Sequence, residues 1–226
     1  MSASVIVLHY GDWALTERCT AIVRTTAPDA ELVLVVNSHE GVPDDLDADH
    51  VIRNPRNVGF ARGCNQGARM ASGDVLVFLN NDTEPEPGWL DAMLAWFDKP
   101  NVAAVGACLY RPDGSVHHAG VSVNFDRPRG QEAWEVHTGE RREVQAATGA
   151  CLAVDAQAFA TVGGFDEGYR NGYEDVDLCL ALAETGGRIM YEPDARVMHH
   201  VSASGPERYA HVDQNVSRLR QKWGDR

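Results

Sequence analysis

The sequence predicts a single α/β domain with a mostly parallel central sheet. Short apolar runs alternate with helical patterns: strands are predicted at residues 4–8 and 31–36, and a helix is predicted between them at 12–26. A strand, a helix and a strand joined by short links form a parallel βαβ unit. The chain has 226 residues. That length can bury one full core, because α/β domains often exceed about 200 residues.

The remaining elements follow the same rhythm. The acidic stretch at 44–49 is typical of a solvated loop. Further strands are predicted at 51–52, 75–79, 102–109, 146–154, 188–191 and 195–198. Further helices are predicted to begin at Gly59, to run from Pro87 to residue 97, and to occupy 155–161, 173–182 and 206–223. Residues 115–124 are compatible with a hairpin around His117 and His118. The polar segment 125–142 predicts a mobile loop of the kind that covers a site.

The apolar run at 75–79 predicts a strand that is buried on both faces. It ends at Asn80, Asn81 and Asp82. Alternate side chains of an extended chain point the same way, so Asn80 and Asp82 can reach one shared point. Ligands of open α/β sheets bind outside the carboxyl ends of the strands. Hard oxygen ligands there suit Mg²⁺ or Mn²⁺, although an Asx-rich turn explains the same residues.

Three glycines fall on one face of the helix that is predicted from Gly59, the others being Gly63 and Gly67. A face without side chains allows something to approach the backbone closely. Either the helix packs tightly on the sheet, or its start and Arg62 face a diphosphate.

Polar residues in the second half of the chain are ambiguous in isolation. Glu174, Asp175 and Asp177 occupy the first turn of a predicted helix, where carboxylates complement the helix dipole and need no function. His199 and His200 follow the last predicted strand, and a histidine at a strand end is commonly a hydrogen-bonded surface residue.

Composition excludes several classes of function. The net charge of −13 argues against a general nucleic-acid binder, which shows a basic face. The five cysteines lack zinc-like spacing and fit reduced thiols. We expect a soluble, cytoplasmic protein, because no signal peptide and no apolar run near about 18 residues is present. P-loop, dinucleotide-binding and hydrolase-elbow motifs are absent from the sequence.

Five motifs together resemble glycosyltransferase family 2, and most of all its rhamnosyltransferase-like branch. In chain order they are Asn57-x-Gly59-Phe60-x-x-Gly63-x-Asn65-x-Gly67, Leu79-Asn80-Asn81-Asp82-Thr83, Thr148-Gly149-Ala150, Gly163-Gly164-Phe165-Asp166 and Glu174-Asp175-Val176-Asp177. The resemblance implies the A-type glycosyltransferase fold, a single Rossmann-like α/β/α domain over 1–226. It also implies a nucleotide-sugar-binding half at about 1–83, an acceptor and catalytic half at about 84–226, and inversion at the anomeric centre.

The resemblance also implies roles for individual residues. Asp175 matches the catalytic base, with Asp177 left to cap or brace the helix, and Asp82 and His199 match the metal ligands for Mn²⁺ or Mg²⁺. Gly149 and Glu174 match acceptor-binding positions. The donor-binding positions are Leu8, His9, Tyr10, Asn37, Asn57, Gly59, Arg62, Gly63, Asn80 and Asn81. The family usually has Asp-Asn or Asp-Asp after its second strand, whereas this chain has Asn37-Ser38. Asn37 is therefore the one candidate there for reading the donor base.

The implied reaction is transfer of a sugar, with rhamnose as one candidate, from a UDP- or dTDP-linked donor to a hydroxyl of a glycan or lipid-linked saccharide in cell-surface polysaccharide biosynthesis. The acceptor would bring the protein to the inner face of the membrane. The attacking hydroxyl needs a carboxylate to take its proton, and the departing diphosphate needs a divalent cation. The alternative is a non-catalytic module that binds sugar nucleotides or glycans. The sugar, the acceptor and the oligomeric state stay open.

Overall fold

The computed structural model describes residues 1–38, 40–125, 133–134, 139–201 and 210–224, with the backbone alone at 133–134. Its strands are β1 (Ala3–His9), β2 (Glu31–Val36), β3 (His50–Arg53), β4 (Val75–Asn80), β5 (Thr83–Pro85), β6 (Val102–Tyr110), β7 (Val116–His118), β8 (Val121–Ser122), β9 (Ala133–Trp134), β10 (Arg142–Glu143), β11 (Cys151–Asp155) and β12 (Arg188–His199). Its helices are α1 (Trp13–Thr26), α2 (Phe60–Met70), α3 (Trp89–Leu94), α4 (Ala156–Thr161), α5 (Glu174–Glu184) and α6 (Val212–Trp223).

The main sheet has the strand order β10-β12-β6-β11-β4-β1-β2-β3, with β5 paired to β12 and β7 to β6. Strands β1 to β4 are mutually parallel where they pair, and β12 is parallel to β6. Strand β11 is antiparallel to both of its neighbours, β4 and β6. The prediction of an α/β domain with a mostly parallel sheet is confirmed.

Helices cover both faces of this sheet. Alternate residues of β1 enter different apolar clusters: Val5 and Val7 pack with residues of α1 and α3, and Ile6 and Leu8 pack with residues of α2, α4, α5 and α6. Burial on both faces explains why β1, β2 and β4 are nearly continuous apolar runs. The result is the three-layered α/β/α arrangement that was predicted.

Three parallel strands end at the same edge of the sheet. Leu8 of β1 lies beside Asn80 of β4, and His9 lies beside Val36 of β2. The polar residues that follow these strands are therefore brought together although they are far apart in sequence. This edge is where an open α/β sheet binds its ligands.

The structure differs from the predicted elements at several points. The two short strands predicted at 188–191 and 195–198 are one strand, β12, because a bulge between Glu192 and Arg196 absorbs the break around Pro193. Residues 115–124 do not form a hairpin with each other, because β7 pairs with β6 and β8 pairs with β9. The helix predicted through 97 ends at Leu94.

Two further boundaries move, and one strand was not predicted. The strand predicted at 146–154 begins at Cys151, because the preceding backbone turns to meet α5, where the N–H of Gly149 binds Asp175. Strand β5 was not predicted, because its three residues contain no apolar run. The C-terminal helix begins at Val212, and the predicted start of that helix at 206 and most of the predicted loop at 125–142 lie outside the described residues.

Across the part of the chain that the structure describes, no helix combines the length and the apolar character that a membrane crossing requires.

Candidate active site

A cleft opens at the carboxyl ends of β1, β2 and β4. It is lined by Leu8, Tyr10, Asn37, Asn57, Gly59, Phe60, Asn80, Asn81, Asp82 and Asn171. All of these residues except Phe60 and Asn171 are among the predicted site residues. The structure thus gathers most of the predicted donor-binding positions around one opening. The predicted residues His9, Arg62, Gly63, Gly149, Glu174, Asp175 and His199 do not line it.

Asn37 lines the cleft, but protein groups occupy both ends of its amide. Its Nδ2 donates to the carbonyl of Gly59 at 3.2 Å, and its Oδ1 accepts from Nδ2 of Asn54 at 2.9 Å. Asn54 also exchanges two hydrogen bonds with Gln66 of α2. The Asn37 side chain therefore fastens the end of β2 to the start of α2.

The glycine face of α2 packs against the sheet. A Cβ atom on Gly63 would lie 2.5 Å from Cδ1 of Leu8, and one on Gly67 would lie 2.4 Å from Cγ2 of Ile6. Gly59 precedes the helix with φ +90°, a conformation that side chains disfavour. Gly63 and Gly67 therefore allow α2 to pack tightly on the sheet, which is the first of the two alternatives for this face.

Arg62 points away from the cleft lining. Its side chain is 60% exposed, and its Nε atom lies 3.9 Å from Oε2 of Glu167. His9 is fully buried and shares a hydrogen bond of 2.7 Å between its Nδ1 and Oγ1 of Thr16. Asn81 donates to the same hydroxyl at 2.8 Å and to the carbonyl of Tyr10 at 3.2 Å. His9 and Asn81 therefore hold the turn between β1 and α1.

Asp82 and His199 meet beside the cleft. Oδ1 of Asp82 lies 3.2 Å from Nε2 of His199, and both residues are buried. The pairing of β5 with β12 sets His199 opposite Thr83, and the backbone N–H of His200 donates to the carbonyl of Asp82 at 2.9 Å. The His200 ring turns instead to Glu84, with 2.5 Å between Nε2 and Oε1.

This pair fits a divalent cation as far as two ligands can. A carboxylate oxygen and an imidazole nitrogen converge, a combination that suits Mn²⁺ better than Mg²⁺. Within the described ranges, no group of three or more His, Cys, Asp or Glu side chains could hold a metal ion. A cation at Asp82 and His199 would take its other ligands from water or from a bound diphosphate.

Asp175 stands at the start of α5 with both oxygens held by backbone donors. Oδ2 accepts from the N–H of Gly149 and Oδ1 from the N–H of Val176, each at 2.8 Å. A Cβ atom on Gly149 would lie 3.1 Å from the Phe60 ring and 3.5 Å from Cβ of Asp175. Because Phe60 lines the cleft, Gly149 and Asp175 lie near a residue of its lining.

Burial raises the pKa of the Asp175 carboxyl above its ordinary value, although its hydrogen bonds to backbone N–H groups act in the opposite direction. Burial, and next the charge of Asp175, raise the pKa of Glu174 as well. Glu174 accepts a hydrogen bond of 2.6 Å from the N–H of Gly172. Two neighbouring carboxyls with raised pKa values are typical of sites that move protons.

Asp177 is directed away from Asp175 and into the protein. Its carboxylate accepts from Tyr169 Oη at 3.1 Å, from Trp223 Nε1 at 2.8 Å and from Lys222 Nζ at 2.7 Å. Since Lys222 and Trp223 belong to α6, Asp177 ties the C-terminal helix to α5. Its contacts are those of a structural brace.

A turn in left-handed conformations carries Asn171 to the cleft. Asn171 has φ 51°, Gly172 has φ 133° and Tyr173 has φ 74°. Such conformations are costly outside glycine and cluster at functional sites. The Asn171-Gly172 pair just before Glu174 is the signal that could have pointed to this turn, and Phe60 lies within a motif that was already recognised.

Comparison with known proteins adds the family. Residues 4–155 match the profile of Glycosyl transferase family 2. The O-antigen biosynthesis protein RfbC of Myxococcus xanthus is 38% identical over 151 residues, which are 62% of this chain and 12% of that protein. The N-acetylglucosaminyl-diphospho-decaprenol L-rhamnosyltransferase of Mycobacterium tuberculosis (strain ATCC 25618 / H37Rv) is 34% identical over 148 residues, which are 58% of this chain and 48% of that enzyme.

A solved structure shares the fold. The crystal structure of GalNAc-T7 with UDP, GalNAc and Mn²⁺ superposes with a TM-score of 0.75 at 20% identity, covering 95% of this chain and 48% of that one. This chain therefore spans less than half the length of each of these three proteins. Both the profile match and the superposition agree with the motifs: the chain has the A-type glycosyltransferase fold and belongs to glycosyl transferase family 2.

Proposed function

We propose that this chain is an inverting, metal-dependent glycosyltransferase domain. It would move a sugar, with rhamnose as one candidate, from a UDP- or dTDP-linked donor to a hydroxyl of a glycan or lipid-linked saccharide. The observation that carries the proposal is the arrangement around one cleft, which has the Asp82–His199 pair beside it and Asp175 adjoining it across Phe60. In this reading residues 1–83 bind the nucleotide sugar and residues 84–226 supply the base and the acceptor site.

The charge of the cleft supports metal dependence. Among the described residues that line it, none is a lysine or an arginine, and the whole chain carries a net charge of −13. A diphosphate next to Asp82 would meet negative charge without a compensating cation. A divalent ion held by Asp82 and His199 would neutralise the charge that develops on the departing diphosphate.

Asp175 has the environment of a general base. The acceptor oxygen would form a bond to C1 of the donor sugar while the bond from C1 to the phosphate oxygen breaks, and the electron pair would leave with the nucleoside diphosphate. Attack from the face opposite the diphosphate inverts the anomeric centre. The hydroxyl proton would pass to Asp175, whose raised pKa brings it closer to that of an effective base near neutral pH.

The names of the relatives support the choice of substrates. The mycobacterial relative is a rhamnosyltransferase that acts on a diphospho-decaprenol lipid, and the Myxococcus relative belongs to O-antigen biosynthesis. The solved GalNAc-T7 structure contains UDP and Mn²⁺. By analogy we assign a UDP or dTDP leaving group and a cell-surface saccharide acceptor, which when lipid-linked would bring the domain to the inner face of the membrane.

Two observations favour the alternative, a module that binds a sugar nucleotide or glycan without turnover. The family's metal-binding Asp-x-Asp motif matches Asn80-Asn81-Asp82, so an asparagine stands in the first place of that motif. The Asn37 amide is already engaged by Gly59 and Asn54. Against it, Asp82, His199 and Asp175 are all present, and Asp82 both lines the cleft and contacts His199.

A screen of UDP- and dTDP-sugars separates the two functions. We expect the thermal midpoint to rise with the correct donor only when Mn²⁺ is present. We also expect slow donor hydrolysis, which Asp175→Asn should lower by about 10²–10⁴. Binding of the donor without any hydrolysis or transfer by the parent would favour the binding module. Binding and turnover that ignore Mn²⁺ and chelators would overturn the metal-dependent mechanism.

A further inference from the structure

The second nitrogen of the His199 ring faces another histidine. Its Nδ1 lies 3.3 Å from Nδ1 of His117, and the two ring centroids are 5.2 Å apart. His117 belongs to β7, which pairs with β6, the strand next to β12 in the sheet. Asp82 contacts Nε2 of His199, so Asp82 and His117 contact different nitrogens of the same ring.

This arrangement constrains where protons can sit. A hydrogen bond between two Nδ1 atoms needs one proton, which belongs to one ring or the other. If His199 directs an Nε2 lone pair at a cation, its neutral ring must carry the proton on Nδ1 and donate it to His117. If instead Nε2–H of a neutral His199 donates to Asp82, Nδ1 must accept from His117. An imidazole at position 117 serves both states.

We propose that His117 is a positioning residue for the metal site: it orients the His199 ring and accepts a hydrogen bond from Nδ1–H of His199 when Nε2 binds the cation. The inference rests on the proposed function, because it takes His199 as a ligand. It adds a residue from a strand that supplies none of the predicted site residues. Outer partners of metal-binding histidines commonly change metal affinity by about 10–100-fold when they are lost.

The neighbouring histidine does not share this role. His118 is buried, and its Nδ1 accepts a hydrogen bond of 3.3 Å from the N–H of Gly120. Burial lowers the pKa of His118 to about 3, so this ring stays neutral within the sheet. His117 lies at a register shift in the pairing of β7 with β6, and its ring is the one in contact with His199.

The test measures Mn²⁺ affinity without turnover. Titration of Mn²⁺ in the presence of UDP or dTDP, whichever the parent binds more tightly, is followed by the electron paramagnetic resonance of free Mn²⁺. His117→Phe should weaken Mn²⁺ binding by about 10–100-fold. His117→Gln, whose amide oxygen can accept the hydrogen bond from Nδ1–H of His199, should bind Mn²⁺ more tightly than His117→Phe. His50→Phe is the control: His50 lies on β3 with its Nε2 3.2 Å from Oε1 of Glu31, and its loss should leave Mn²⁺ affinity unchanged.

The outcomes separate the inference from the function beneath it. If His199→Ala binds Mn²⁺ as the parent does, the proposed metal site is wrong and the role of His117 falls with it. If His199→Ala weakens binding but His117→Phe does not, only the inference is overturned. Should His117→Phe lower the thermal midpoint, ¹⁵N spectra of the parent loaded with diamagnetic Zn²⁺, which imidazole binds well, decide: the proton of His199 must sit on Nδ1, and a proton on Nε2 contradicts the proposal.

Discussion

The backbone N–H of Gly149 donates a hydrogen bond of 2.8 Å to Oδ2 of Asp175. Gly149 lies just before β11 and Asp175 lies in the first turn of α5, so this bond joins the centre of the sheet to the helix that carries the proposed base. Because Val176 holds the other oxygen, the carboxylate cannot rotate freely. Its orientation beside Phe60 is set before any substrate binds.

Asp175→Asn should lower the rate of sugar transfer, or of donor hydrolysis, by about 10²–10⁴, the usual size of a general-base contribution. Affinity for donor and Mn²⁺ should stay close to that of the parent. The amide places an NH₂ group against one of two backbone donors, so we also expect about 1 kcal/mol lower stability. Rapid-quench kinetics and calorimetry measure these quantities. Transfer at the parental rate would assign the base elsewhere.

The raised pKa of Asp175 predicts the pH dependence of turnover. Only the ionised carboxylate accepts a proton, so the rate should fall as pH drops through the raised pKa, which lies above the range of an ordinary aspartate. A pH–rate profile of donor hydrolysis measures this. An inflection at or below about 3.9, the ordinary value, would contradict the environment described here.

The raised pKa of Glu174 predicts that stability falls as pH rises, whereas turnover should fall as pH drops. Its pKa is higher in the folded protein than in the unfolded chain, mainly because burial disfavours its charge. The contribution of the neutral acid is complete below about pH 4.3 and is lost as pH rises through the raised pKa. Compared with Glu174→Gln, the parent should therefore lose stability over that window in urea unfolding. A pH-independent difference between the two proteins would refute this.

Asp177→Asn should act on stability, in contrast to Asp175→Asn. It replaces a buried carboxylate that receives three side-chain donors, two of them from α6. We expect a loss of about 1–3 kcal/mol in the free energy of unfolding and faster hydrogen exchange in α6. Turnover by the fraction that remains folded should change little. A large drop in turnover at unchanged stability would mean that Asp177 takes part in the reaction.

Asp82→Ala should remove metal-dependent nucleotide binding while the fold is kept. The residue lies in the turn between β4 and β5, outside the apolar clusters. Glu84→Ala is the matched control, because Glu84 binds Arg18 and His200 and does not line the cleft. Calorimetry with UDP or dTDP and Mn²⁺ should show at least about tenfold weaker binding for Asp82→Ala alone. Equal affinity in both variants would exclude Asp82 as a ligand.

Gly63→Ala and Gly67→Ala should differ although they lie one helical turn apart. Each added methyl group would meet the sheet at 2.4–2.5 Å, so each should destabilise the protein by about 1–3 kcal/mol. The methyl group added at Gly63 would contact Leu8 and Asn37, which line the cleft, whereas the one added at Gly67 would contact Ile6 and Val35 in the core. Nucleotide affinity at a temperature where both are folded should fall only for Gly63→Ala. Equal nucleotide affinities of the two variants would show that the packing of α2 at Gly63 does not affect binding in the cleft.

The amino-acid sequence by itself determined the fold class and most of the cleft. Strands buried on both faces must be continuously apolar, so β1, β2 and β4 could be read directly. Asn80 could be placed at the ligand-binding edge from its position at the end of a buried strand, whereas Leu8 and Asn37 were predicted from the resemblance to family 2. The parallel pairing of β1 with β2 and β4 then brings the ends of these strands together. These inferences succeed because periodicity and local turn chemistry record burial and local conformation.

Tertiary structure alone decided which of the polar residues meet. The pairing of β5 with β12 brings His199 to Asp82, and β7 adds His117. Strand β5 could not be predicted, because its three residues contain no apolar run. The same packing turns His9 inward to Thr16 and turns Asp177 toward α6, whereas Asp175 stays beside the cleft. Contacts between distant segments depend on strand register and on helix docking. Both are set by the packing of the whole core, and no local pattern contains them.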